Sequence, residues 1–328
     1  MRNQIIEMAK KYDADVVGFA PASRFAENDP IFKILPSVKT VIGLGFRVLR
    51  GIYRGVEEGT TYYQYTTMGV ENLEETVMPL ALINVANLIE DEGFEAIPQR
   101  RNQLIMNEEE GTNPEVDYTD VVRGIKAENQ LDFLNCAVQC GLGEKSMIGS
   151  LLNGEYGPFI RYCFILTDAE LEATDLVVPS LCDQCGECIK ACPGKAISKD
   201  GNLDSWKCTA YYNGANGSKN PFMPPDAYAD FENRLQIIAG EADIDVELAK
   251  KIIDSTYFYP PAKHFYRTSI CGRACDRACY IHLEEKGVLS KKFVRKFREG
   301  EDWKLDMKQF ETMKREKPWK FTGVDDEE

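Results

Sequence analysis

The stretch SLCDQCGECIKACPGKAI, Ser180–Ile197, sets Cys182, Cys185, Cys188 and Cys192 at C-x2-C-x2-C-x3-C-P spacing. Two-residue spacers let one short loop wrap three corners of a small cluster, and the proline turns the chain away once the fourth thiolate is placed. This is the spacing of [4Fe-4S] ligation. A structural zinc also uses C-x2-C pairs, but not the full run. Such a module is small, yet here some 180 residues come before it.

Where two clusters are held together, the cysteine before the proline ligates the other cluster, so a second set of thiols is required. CGRACDRAC supplies Cys271, Cys275 and Cys279, and Cys208 in LDSWKC makes the eighth. The expected assignment is Cys182, Cys185, Cys188 and Cys279 for one [4Fe-4S] cluster, and Cys192, Cys208, Cys271 and Cys275 for the other. The second set has C-x3-C-x3-C spacing, and no proline follows Cys279. At helical spacing Cys271, Cys275 and Cys279 would share one face, which suits ligation and packing alike. Cys136 and Cys140, four apart on an expected helix, and Cys163, inside an apolar strand, are expected to be buried structural thiols.

Fifty-three acidic against 39 basic residues give a net charge of −14. Such a surface repels nucleic acid and anionic lipid unless a local basic patch overrides the field. Electron-transfer partners or cationic patches on other proteins are more natural company. The first residues show no apolar signal segment, and no run approaches a membrane span, so a cytoplasmic protein is expected. In that reducing compartment eleven cysteines point to metal rather than disulfides.

The chain is long enough for one large domain or two ordinary ones. DVVGFA, TVIGLGF, FEAIP and FIRYCFILTD have the short, β-branched or apolar character of buried strands. Ile5 to Ala9, the run from Leu73 to Ile89, and Gln130 to Cys140 have helical spacing. The alternation predicts an α+β fold, with an α/β cofactor- and substrate-binding domain over residues 1–178. Near Val178 the chain becomes rich in glycine, proline and cysteine, and a ferredoxin-like two-[4Fe-4S] module is expected over 179–290. A helical stretch is expected within it around Phe231–Ile253, and a charged helix and tail over 291–328, ending in DDEE.

Several stretches together resemble the cobalamin-dependent iron–sulfur reductases, the family of epoxyqueuosine reductases and reductive dehalogenases. GLGEKSMIGSLLNGEYGPFIRYCFILTD (Gly141–Asp168) is similar to the family's GLGE…EYGP…R…TD segment, LPSVKTVIGLGF and ADVVGFAPASRF to its early strands, and LDSWKC to its seventh-ligand segment. The similarity runs over about residues 1–285. Glu144 and EYGP lean toward the dehalogenases, and GLGEKSM stands where epoxyqueuosine reductases carry GLGW-x-GK. Their proton-donating aspartate would fall near Ala127, flanked by Lys126 and Glu128.

The resemblance implies a nitroreductase-like first domain holding a base-off corrinoid (cobalamin). It implies a low-potential donor, ferredoxin or flavodoxin, and two-electron reduction of a carbon–halogen or carbon–oxygen bond in a small molecule. The acidic charge balance and the departures from the epoxyqueuosine enzymes lead us to expect no nucleic acid partner. A flavin, or no organic cofactor at all, is also compatible with the residues. The rival is a corrinoid-free electron-transfer protein serving a partner enzyme.

The resemblance implies a tyrosine proton donor assisted by a basic residue, and Tyr118 in EVDYTDVVRG and Arg161 are the candidates. Against these stand a loop tyrosine packed on its domain and a surface salt bridge. Tyr62, Tyr63 and Tyr65 in TTYYQYT, and Gly141, Gly143 and Glu144, are candidate cofactor contacts. Core packing and a glycine turn would explain them equally. His264 is expected to be structural. The glycines do not complete G-x-G-x-x-G.

Overall fold

The computed structural model describes residues 1–100, 130–256 and 269–311. Its centre is a four-stranded sheet in the order β1 (Val16–Pro21), β2 (Thr40–Arg47), β6 (Ile160–Thr167), β3 (Ala96–Gln99), with every pair antiparallel. Two short strands, β4 (Glu144–Lys145) and β5 (Leu151–Leu152), form a separate hairpin. An antiparallel sheet with helices on its faces is α+β.

Strand residues alternate between two buried faces. On one, Phe19, Ile42, Leu44, Phe46, Cys163 and Ile165 pack against Ile5 and Ala9 of α1 (Arg2–Lys11) and Met78, Leu82, Val85 and Ile89 of α5 (Met78–Asp91). On the other, Val41, Phe164 and Leu166 meet Ile31 of α2 (Pro30–Ile34) and Cys136, Ala137 and Cys140 at the end of α6 (Phe133–Gln139). Burial on both faces explains why these strands have near-continuous apolar runs.

Two glycines in those runs are steric requirements. A Cβ at Gly18 would lie 1.9 Å from the Cys140 carbonyl oxygen, and one at Gly43 would lie 2.9 Å from the Cys140 Cβ. The end of α6 therefore sits directly on the sheet. Cys136 and Cys140 are buried there and Cys163 on the opposite face of the sheet, all three as expected, and burial pushes all three thiols up.

Between α3 (Arg50–Glu58) and β3 the chain is helical from α4 (Gln64–Thr66) through to Asp91, but Thr67–Glu71 and Leu73–Val77 are π turns. Pro79 follows, lacking the N–H that a helix interior would use. The wider turns bury Glu71 and Glu74 beside apolar Val70. π turns of this kind gather at functional sites.

After the sheet, strands give way to short helices: α7 (Glu187–Lys190), α8 (Ser205–Tyr212), α9 (Arg234–Ala239), α10 (Val246–Asp254) and α11 (Ala274–Glu285). Asp204 and Asp245 cap α8 and α10 by accepting from Lys207 N and Leu248 N. The helical stretch expected around Phe231–Ile253 is two helices, because Gly240 ends α9 in a left-handed conformation. A small core of Tyr211, Ile237, Ile238, Ile252, Ile253 and Phe310 lies beneath them.

Two expectations are corrected. Cys271 is not on the face shared by Cys275 and Cys279, since Gly272 and Arg273 are both left-handed and α11 begins only at Ala274. A Cβ at Gly272 would meet Val56 at 2.5 Å, so the turn is pressed against α3. The helix expected over 291–328 is absent from 291–306. That segment is an extended strap pinned by side chains, with a single 3-10 turn at Met307–Phe310. Its charges alternate with Phe293, Phe297 and Trp303 at no helical period.

Candidate iron–sulfur and buried tyrosine site

Cys182 and Cys185 lie on a loop that turns twice through the left-handed region, at Gln184 and Gly186, and Cys188 follows in the first turn of α7. Glu144 fixes the start of that loop. Its buried carboxylate accepts from Ser180 N (2.6 Å), Leu181 N (3.0 Å) and Cys182 N (2.9 Å). Gly141 and Gly143 let the preceding turn approach its neighbours, where a Cβ would lie 2.4 Å from the Asp175 carbonyl and 2.3 Å from the Leu152 carbonyl. These three residues thus sit under the first cysteine loop.

The Cys279 thiol, from α11, faces Cys182, Cys185 and Cys188 across a pocket that Met147 and Ser146 also line. Burial pushes the Cys279 thiol up, and Asp276, Cys188, Cys182 and Cys185 push it further. Met147 N points at Cys182 Sγ from 3.4 Å. The remaining thiols form a second group. Cys208 is pushed up to about 12 by burial and then by Cys271 and Cys192, against the pull of Arg273. Cys275 is raised by burial, then Asp276, with Cys271 and Cys208 adding to it. Ala196 N points at Cys192 Sγ from 3.2 Å.

Crowded, buried thiols are costly as thiolates unless a cationic centre takes their charge. Backbone N–H groups aimed at sulfur are what a coordinated thiolate accepts. Four thiols in each group, with no disulfide among them, fit a cubane.

Among the eight thiols Cys185 alone is exposed and Cys188 alone is buried; Cys192, Cys208, Cys271 and Cys275 of the second group are all partly open. The second group borders a buried polar cluster in the sheet domain. Cys271 N and Ile270 N both donate to the Tyr212 carbonyl, and Ser269 N donates to Thr66 Oγ1 (2.8 Å), next to Tyr65. Arg273 pairs with Asp276 (2.7 Å) and also feels Cys275 and Tyr65.

At the centre, Arg161 Nη2 donates to the Tyr65 hydroxyl (2.5 Å), and its Nη1 donates to Glu74 Oε1. This is a buried ion pair, with Arg161 13% and Glu74 4% exposed, so the surface salt bridge weighed from the sequence is not what forms. Burial works against the Arg161 charge, but Tyr65, Glu74, Tyr53 and Tyr212 more than offset it and hold the guanidinium protonated. Tyr65 stacks on Tyr53 at 4.8 Å, Tyr53 on Phe159 at 4.0 Å, and Phe159 on Tyr280 at 4.3 Å. Burial pushes the Tyr53 hydroxyl well up, with Tyr65 and Asp276 adding to it.

Of the sequence-predicted residues, Arg161 and Tyr65 are therefore brought together. Tyr62 lies aside, donating to the Gly59 carbonyl (2.8 Å) and packing edge-on to Phe222 and Trp303. Tyr63 also meets Phe222, and its buried hydroxyl has no partner among the described residues. Tyr118, Ala127 and His264 lie outside the described residues. Tyr53, Glu74, Arg273 and Asp276 were missed. The RACD run beside Cys271 was a visible signal for the last two, but π turns hid the inward aim of Glu74.

The segment 176–198 matches the 4Fe-4S binding domain family, so this part of the chain is an iron–sulfur motif. Two kinds of protein are similar to the chain beyond that motif. It is 35% identical over 66 residues to a tetrachloroethene reductive dehalogenase of Sulfurospirillum multivorans, covering 19% of this chain and 13% of that one. It is 34% identical over 76 residues to an epoxyqueuosine reductase of Prochlorococcus marinus, covering 23% and 24%. The match thus spans a quarter or less of the length of these curated relatives. Among solved structures, the epoxyqueuosine reductase from Streptococcus thermophilus aligns at 14% identity and a TM-score of 0.43, over 85% of this chain and 80% of that one. Among the described residues no helix is long and apolar enough to cross a membrane.

Proposed function

We propose that the chain is an iron–sulfur reductase of the cobalamin-dependent kind, with two [4Fe-4S] clusters and a nitroreductase-like first domain. Its substrate would be a small molecule carrying a reducible carbon–halogen or carbon–oxygen bond. The observation that carries this is the order of the groups in space: a set of four thiols that includes the exposed Cys185, a second set of four beside the sheet domain, then the buried Tyr65–Arg161–Glu74 cluster. Cys182, Cys185, Cys188 and Cys279 would hold the outer cluster, and Cys192, Cys208, Cys271 and Cys275 the inner one. Held this way, the clusters would supply one-electron relay toward the buried tyrosine cluster.

The buried Tyr63 hydroxyl, without a partner among the described residues, fits an amide side chain of a corrinoid. A corrinoid would supply a low-potential cobalt centre able to deliver two electrons to one bond. The chain's own residues supply the proton. Tyr65 carries it, and Arg161, kept charged by Glu74, stabilises the phenolate left behind. Tyr118 remains a second candidate donor.

Anaerobic purification with visible and electron paramagnetic resonance spectroscopy tests this. About eight iron per chain and a base-off Co(II) signal after cobalamin reconstitution are expected. Clusters without corrinoid, even after reconstitution, would establish the rival, an electron-transfer protein serving a partner enzyme. A second reading, reduction of epoxyqueuosine in tRNA, draws on the relatives that bear that enzyme's name. Turnover of an epoxyqueuosine-modified stem-loop would establish it over the small-molecule substrate.

A further inference from the structure

Residues 286–298, KGVLSKKFVRKFR, carry six cations and no acid in a chain of net charge −14. The segment folds as the strap that leaves α11, and it is anchored on the outer thiol group. Leu289 and Phe297 are buried with Leu181, Leu283 and the partly buried Cys182 and Cys279. Lys286 Nζ lies 2.7 Å from Asp183, whose carboxylate also accepts from Cys185 N.

Between these anchors, Lys291 to Lys296 are six consecutive exposed residues. Among the described residues Lys291, Lys292, Arg295 and Lys296 form no ion pair; Lys292 Nζ reaches only the Gly287 carbonyl. Val294 is 105% exposed, fuller exposure than any other large hydrophobic described. Beside it, Arg50 covers the Phe293 ring at 4.3 Å. Arg47, Arg50 and Lys291 line a cleft of about 290 Å³ that has Tyr280, the neighbour of Cys279, in its wall. Arg50 is nine-tenths buried, and its Nε has no partner among the described residues.

A basic rim around an exposed aliphatic centre has the anatomy of a protein-docking patch. A nucleic acid asks instead for free aromatic faces to stack on, and Phe293 is already occupied by Arg50. The net negative charge outside the patch also opposes a polyanion longer than the patch itself.

We propose that this strap is the docking surface for an acidic, low-potential one-electron carrier protein, with Val294 at the centre of the contact and Lys291, Lys292, Arg295 and Lys296 around it. The inference rests on the two-cluster reading. In the productive complex one electron leaves the reduced carrier, and the outer cluster passes from [4Fe-4S]2+ to [4Fe-4S]+. No bond breaks and no proton moves. A contact this small and charged favours fast, weak, salt-sensitive encounter over tight assembly.

The test uses the full chain and an acidic two-[4Fe-4S] ferredoxin as probe, in the triple variant Lys291→Glu, Lys292→Glu, Arg295→Glu, with Val294→Asp separately. Lys10→Glu, Lys11→Glu on α1 is the control. Binding of oxidised ferredoxin is expected to weaken at least tenfold in the triple variant, with a shallower salt dependence, and severalfold in Val294→Asp. Cluster reduction by ferredoxin should slow in parallel, while reduction by dithionite changes by no more than about twofold. Wild type that fails to bind ferredoxin, or a triple variant within twofold of it, overturns the proposal. So does a triple variant that loses binding of a tRNA stem-loop yet keeps ferredoxin. If reconstituted wild type lacks cluster absorbance, the two-cluster reading fails instead, and the binding titration still decides whether the surface docks.

Discussion

The sheet domain and the cysteine-rich half are held together by different physics. In the first, β2 and β6 bury nearly every residue between two helical layers, and area removed from water supplies the stability. In the second, helices of four to twelve residues are too short to stand by themselves. The backbone is placed there by carboxylates, left-handed turns and crowded thiols that a metal centre would bind. A fold of the first kind tolerates loss of its cofactor. One of the second kind does not.

Removing iron should break this comparison most visibly. After anaerobic chelation, amides of residues 180–212 and 269–285 are expected to exchange at least a hundredfold faster, and those of β2 and β6 to stay protected; uniform protection would put the two halves on the same footing. In the sheet, Phe164→Ala should cost about 4 kcal/mol in chemical denaturation of the apoprotein, since its ring is fully buried. Glu57→Gln strikes the seam between the halves. Glu57, on α3, accepts from Arg277 of α11 and Arg298 of the strap, and its loss strands a buried guanidinium. A cost of about 3 kcal/mol is expected, together with accelerated exchange along the strap.

Glu144→Gln should cost about 2 kcal/mol and reduce the iron retained by the outer group first, because the three N–H groups before and at Cys182 lose a charged acceptor. The smallest effect is Asp183→Asn, under about 1 kcal/mol, since the carboxylate is 38% exposed and solvent screens its partners. Hydrogen bonds from Lys286 and His282 hold the Asp183 carboxyl well below its usual range. Its contribution is therefore complete above about pH 5 and is lost as pH falls below about 4, so wild type and variant should converge in acid. Divergence there would mean that Asp183 acts through something other than its charge.

How much was legible before folding follows the same division. VVGFA and TVIGLGF announced buried strands because burial on both faces leaves an unbroken apolar run, and even their glycines were visible, though not the helix end that requires them. The motif of Cys182, Cys185, Cys188 and Cys192 was legible because ligand geometry constrains spacing along the chain. Arg161 and Tyr65 were picked out, but the sequence offered no sign that they touch. They lie 96 residues apart, and Glu74 joins them only because π turns shift a helical register that a regular period would have kept apart. The strap was misjudged as a helix, since its charges suggested a solvated face while its aromatic residues serve as pins.

Composition and spacing by themselves determined the layered first half and the iron–sulfur motif, because hydrophobic period and ligand reach are local properties. The tertiary structure alone decided that Cys185 is the exposed thiol, that Glu144 braces the first cysteine loop, and that Arg161 is buried against Glu74 and Tyr65. Those depend on contacts between distant segments, whose energy no local pattern records.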